Sequence, residues 1–111
     1  MNIEDLVFVG FNSRVAALDQ QTGEIVWDWS APRGWRYVSL LLDGPRLFVA
    51  IAGYTYCLDA VTGQQLWTNP MTGFGLGVTS LVSARGAAPP ALLGQASSAR
   101  RRAAVAAAAA G

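Results

Sequence analysis

Hydrophobic residues in this chain fall in short, alternating runs closed by turn-forming clusters, without the three-to-four spacing of an amphipathic helix. Leu6–Phe11, Arg14–Asp19, Glu24–Trp29 and Tyr37–Leu42 predict four strands. Arg46–Ala52, Tyr54–Asp59, Gln64–Thr68 and Val78–Ser83 predict four more. These runs are rich in β-branched and aromatic residues, which fit a pleated, half-buried surface. Asn12-Ser13 and Gly53 mark hairpin turns, and Asp43-Gly44-Pro45 is a strong turn signal. Residues 31–34 and 69–73 form longer connections.

The pattern also repeats. Leu18, Asp19, Thr22, Gly23 and Trp27 recur as Leu58, Asp59, Thr62, Gly63 and Trp67, at one constant offset of 40 residues. A fixed period of that length is the mark of a repeat architecture. The Asp-x-x-Thr-Gly segment has a mechanical task. Its Asp can accept hydrogen bonds from backbone N–H groups two or three residues on, and its Gly takes a positive φ without penalty. A Trp at the same place in each copy is expected to wedge against a neighbouring sheet, since an indole buries a large area and needs one acceptor. The alternative is that Trp27 or Trp67 stacks on a ligand; recurrence in both repeats favours packing.

Val7-Phe8-Val9-Gly10 with Leu18 to Trp27, and Leu47-Phe48-Val49-Ala50 with Leu58 to Trp67, resemble the PQQ-like (quinoprotein-type) β-propeller repeat. The resemblance covers residues from about 5 to 84. It implies an all-β fold of two four-stranded antiparallel blades per chain, with the repeated Trp docking adjacent blades. In dehydrogenases of this superfamily a quinone is held by a Trp platform, a vicinal-cysteine disulfide and a calcium site. This sequence has no adjacent cysteines, so the resemblance implies shape and not quinone chemistry. The chain is similar in kind to the non-enzymatic propeller of the bacterial outer-membrane assembly lipoprotein.

If a blade runs from inner strand A to outer strand D, Tyr37–Leu42 is A and the three strands after it are B, C and D. The first three strands are then B, C and D without an A, and Val78–Ser83 is an A with nothing after it. Two blades cannot close a ring, and propellers typically need four to eight. Head-to-tail assembly, with Val78–Ser83 of one copy beside Leu6–Phe11 of the next, is the expected solution. Four chains would give eight blades and three would give six; the tetramer is favoured. The competing reading is a piece of a longer propeller.

Composition narrows the chemistry. The 111 residues contain no His and one Cys, which excludes His/Cys metal sites and His-dependent triads within the chain. Gly73-Phe74-Gly75-Leu76-Gly77 has the wrong spacing for a phosphate-cradling loop and precedes a strand. No catalytic, cofactor-binding or metal residue is therefore assigned, and no cofactor is expected. Cys57 reads as a small buried strand residue matching Ala17. All eight basic residues are Arg. Residues 1–84, the expected propeller domain, hold all seven acids and four arginines (Arg14, Arg33, Arg36, Arg46). The remainder, residues 85–111, holds Arg85, Arg100, Arg101 and Arg102 with no acid and is expected to be a disordered, Ala/Arg-rich tail. A nucleic-acid binder would carry its basic stripe on the folded part, so that partner is not favoured. No run approaches the ~20 apolar residues of a membrane span. The acidic Met1–Asp5 start carries no export signal, and a cytoplasmic location is the expectation. The leading function is a non-catalytic scaffold binding a protein or small ligand. The rival is a quinone- or metal-dependent oxidoreductase with a site formed between subunits.

Overall fold

A computed structural model describes residues 1–75 and 77–87. Among the described residues the fold is all-β apart from a single 3₁₀ turn at Ile3–Asp5. β1 (Leu6–Phe11), β2 (Arg14–Asp19) and β3 (Ile25–Ser30) form a three-stranded antiparallel sheet in the order β1-β2-β3. β4 (Val38–Asp43), β5 (Arg46–Ile51), β6 (Tyr54–Asp59) and β7 (Gln65–Asn69) form a four-stranded antiparallel sheet in chain order. β8 (Val82–Ser83) and β9 (Gly86–Ala87) make a two-residue hairpin.

Turn chemistry sets each register. Asn12 and Ser13 have φ of 53° and 70°, and Ala52 and Gly53 have 48° and 90°. Positive φ at both central residues is the two-residue hairpin loop whose twist matches that of the strands. The two sheets also share an irregularity. A register shift falls between Ala17 and Leu18 in the first and between Cys57 and Leu58 in the second, again 40 residues apart.

The core lies between the sheets. Leu6, Val15, Ala17 and Trp27 from the first meet Leu47, Val49, Ile51, Tyr56, Leu58 and Ala60 from the second. Strand alternation selects these sets, since side chains two apart on a strand share a face. At Gly10 the sheets approach closely: a Cβ there would sit 2.6 Å from Val38 Cγ1.

The ends of several strands differ from expectation. β3 and β7 each begin one residue late, because the Glu24 and Gln64 carbonyls still accept from the Asp19 and Asp59 amides inside the turns. Ala52 belongs to a turn and not to β5, as its positive φ requires. The largest difference is at the third repeat. Among the described residues only Val82–Ser83 of the expected strand Val78–Ser83 is laddered, against Gly86–Ala87. Thr79 is held instead through its carbonyl, which accepts from Ser39 Oγ at 3.0 Å.

β8 is not a lone strand either. Its ladder pairs Val82 with Ala87 and Ser83 with Gly86, while β4 and β5 pair Leu42 with Leu47 and Asp43 with Arg46. The hairpin is the A–B corner of a third repeat at the same period. It places Arg85 against the Asp43 carboxylate, and the boundary expected after Ala84 falls inside this hairpin. Arg100, Arg101, Arg102 and the rest of the expected tail beyond residue 87 lie outside the described residues, as does Leu76.

Candidate functional site

The repeated motif builds two turns with the same five hydrogen bonds. Asp19 Oδ1 accepts from the amides of Gln21 (2.8 Å) and Thr22 (3.3 Å), and Asp59 Oδ1 from those of Val61 (2.9 Å) and Thr62 (3.1 Å). Gly23 and Gly63 donate to the Asp19 and Asp59 carbonyls at 2.8 Å. Asp19 and Asp59 donate from their own amides to Glu24 and Gln64, also at 2.8 Å. Thr22 Oγ1 and Thr62 Oγ1 accept from the amides of Glu24 and Gln64, each the residue just before the following strand, at 3.2 Å. Gly23 and Gly63 take φ of 78° and 80°, the left-handed region that penalises any residue with a Cβ. Leu18 and Leu58 enter these turns from β2 and β6.

The motif then joins across sheets. Trp27 of the first repeat lies on the Asp59–Gly63 turn of the second, and its Nε1 donates to the Ala60 carbonyl at 3.0 Å. A Cβ on Gly63 would sit 2.6 Å from Trp27 Cδ2 and Cε3, so the glycine leaves room for the indole face. Trp67 keeps the same local geometry against Phe48 (centroids 6.0 Å apart, planes at 45°) as Trp27 against Phe8 (6.1 Å, 44°). Trp67 is 42% exposed where Trp27 is 9%. Gly23, its counterpart turn, has nothing within 4 Å of where a Cβ would be.

The opposite faces show the same contrast. Leu47, Val49 and Ile51 of β5 are 1%, 0% and 0% exposed beneath the first sheet, while their equivalents Val7, Val9 and Phe11 of β1 are 44%, 43% and 74% exposed. Each repeat thus has a Trp face and an aliphatic face. Among the described residues one pairing of the two is made, and one of each kind is open.

Several contacts across the sheets were not foreseen. Trp29 meets Tyr56 edge-on at 4.8 Å and donates from Nε1 to Gln65 Oε1 at 3.2 Å. The Tyr56 hydroxyl donates to the Arg33 carbonyl (2.7 Å) and accepts from its amide (3.0 Å), tying the β3–β4 connection to the core. The equivalents of Trp29 and Tyr56 are Asn69 and Ala16, so these residues carried no repeat signal; the Trp-Asp-Trp alternation of β3 was the one available hint. Burial raises the Tyr56 hydroxyl and the Cys57 thiol above their ordinary values. Among the described residues no three His, Cys, Asp or Glu side chains gather where they could hold a metal ion. No helix there is long and apolar enough to cross a membrane.

Comparison with known proteins decides the family. A family model described as outer membrane protein assembly factor BamB matches residues 11–106. The chain belongs to this PQQ-like propeller family. The match runs past the expected domain boundary at residue 84. Among solved structures, the crystal structure of BamB from Moraxella catarrhalis is similar at 25% identity with a TM-score of 0.53. The alignment covers 77% of this chain and 28% of that one, so the chain spans little more than a quarter of that relative's length. No curated protein matches.

Two outcomes follow for the docking contact and the buried hydroxyl and thiol. Trp27→Ala should lower unfolding free energy by about 3–5 kcal/mol in urea titrations, the usual cost of truncating a buried aromatic. A loss below about 1 kcal/mol would remove the indole from its place as the inter-sheet wedge. Because Cys57 and Tyr56 hold their protons more tightly in the folded chain, their contribution is fully present below the unfolded thiol value of about 8.5 and is lost as pH rises through the folded values. The urea midpoint should therefore be level near neutrality and fall above about pH 9; a midpoint that rises there would contradict the assignment.

Proposed function

We propose that this chain is a non-catalytic binding and scaffold module whose blades complete a propeller ring by head-to-tail association with further copies. One observation carries the reading: the open Trp67 face and the open Val7–Val9–Phe11 face are the two halves of a contact the chain already makes internally. Stacking one copy on the next would bring the Trp67 indole onto the Gln20–Gly23 turn, as Trp27 sits on Ala60–Gly63. Such a contact is heterologous, and it closes when the rotation per copy divides the circle.

The empty edge of β1 would be filled at the same junction. By the repeat register, Val82 of a neighbouring copy would face Val7 and Ser83 would face Leu6. β8 would then exchange its two-residue ladder with β9 for the six-residue β1, and an exposed strand edge favours such pairing. Four copies would supply eight blades and three would supply six. The family's description as an assembly factor supports a role in holding other proteins, with the ring faces as the binding surfaces.

Native mass measured at micromolar concentration should correspond to four chains, or to three. Leu81→Pro, which removes an amide from the strand that β1 needs, should reduce the species to monomer or aggregate. A well-folded monomer, or a proline variant that keeps the assembled mass, would overturn strand sharing and leave the open faces to blades from elsewhere.

A further inference from the structure

Val7, Val9, Phe11 and Trp67 lie on the two open blade faces, and the missing neighbouring blades account for their exposure. Trp35 and Tyr37 do not. They belong to the connection between β3 and β4, whose two flanking sheets are both present, and yet both rings are exposed. Arg36 between them takes a φ of 77°, a conformation that penalises a side chain bearing a Cβ. Ser13 holds it there: the Arg36 amide donates to Ser13 Oγ at 3.0 Å, and the Ser13 amide donates to the Arg36 carbonyl at 3.1 Å.

The outcome is a rigid ridge of two aromatic rings and a cation. The Arg36 guanidinium carbon lies 4.8 Å from the Trp35 ring centroid and 5.9 Å from that of Tyr37. A guanidinium stacked on rings keeps its in-plane N–H donors free for a carboxylate. The ridge separates a cleft of about 190 Å³, reaching Ala52 and Gly77, from one of about 560 Å³, reaching Gly10, Phe11 and Asn12. Charge gives the sign of the partner. No acid occurs between Asp28 and Asp43, where Arg33 and Arg36 stand, and neither arginine has an ion pair among the described residues.

From these observations we infer that the Trp35–Arg36–Tyr37 ridge docks an extended, acidic peptide segment of another protein. A carboxylate pairs with Arg36 and an adjacent apolar side chain enters the smaller cleft. Trp, Tyr and Arg are the residues that dominate binding energy at such surfaces. This rests on the reading of the chain as a binding module and names the surface that reading requires.

The test is selection of a phage-displayed random decapeptide library on the whole chain, followed by binding titrations of the enriched peptides. Enriched sequences should carry Asp or Glu beside an apolar residue. Their affinity should fall about tenfold or more, roughly 1.4 kcal/mol, for Trp35→Ala and for Arg36→Gly. Glycine suits the positive φ, so the Arg36 variant removes the guanidinium while relieving the backbone. Glu4→Gln, exposed at the far end of β1 from the ridge, should bind as the parent does. Enriched peptides that bind both ridge variants unchanged would overturn this surface while leaving a binding module in place. Enrichment without acidic residues, or no enrichment, would overturn the inference, and native mass would still decide the assembly reading separately.

Discussion

The structure depends on one contact, the Trp27 indole laid on the backbone of the Asp59–Gly63 turn. A sheet of three strands with one apolar face has no stability of its own until that face is covered. Trp27, on that face, docks it against the second sheet and fixes its position, because its N–H reaches the Ala60 carbonyl and its ring needs a glycine beneath it. Asp59 holds that glycine in place through amide bonds to its side chain and carbonyl. The repeat of 40 residues is the sequence expression of this requirement: the Asp59–Gly63 turn serves its own hairpin and also receives the Trp of the repeat before.

Among the described residues this rule leaves two surfaces unmet. The aliphatic face of β1 and β2 and the Trp67 face of the second sheet are open for the same reason that their internal equivalents are buried. The β8–β9 corner, which reproduces the β4–β5 register, carries the pattern into a third repeat. The rim is governed differently. At Trp35–Arg36–Tyr37 the exposed rings are held by Ser13 in a strained backbone between two sheets that are both present, and a missing neighbour does not explain them.

How much was legible in the sequence follows from what repeats. The all-β class, the hairpins and the strand order of the complete sheet could be read from alternation and from Asn12-Ser13, Gly53 and Gly44-Pro45, since these are local rules. The Ala60 acceptor for Trp27 was not named, because a carbonyl leaves no trace in composition. Trp29, Tyr56 and Arg33 form a network across 23 to 36 residues with no counterpart in the other repeat, so neither period nor propensity marked it. Val78–Ser83 reads as a full strand by its apolar residues, while only Val82–Ser83 is laddered among the described residues. Positive φ at Arg36 was invisible, since Arg carries no local preference for it and the constraint comes from Ser13.

The docking contact is tested most directly by a comparison of two glycines in the Trp67→Ala background, where no neighbouring copy can press an indole on Gly23. Gly23 and Gly63 have nearly equal φ and the same turn hydrogen bonds, and they differ in the ring lying on one of them. Alanine at either should cost roughly 1–2 kcal/mol for the left-handed backbone. Urea unfolding should show Gly63→Ala losing clearly more than Gly23→Ala, because its new methyl displaces Trp27. Equal losses would mean that the indole does not bear on that turn, and the contact on which the two sheets depend would have to be sought elsewhere.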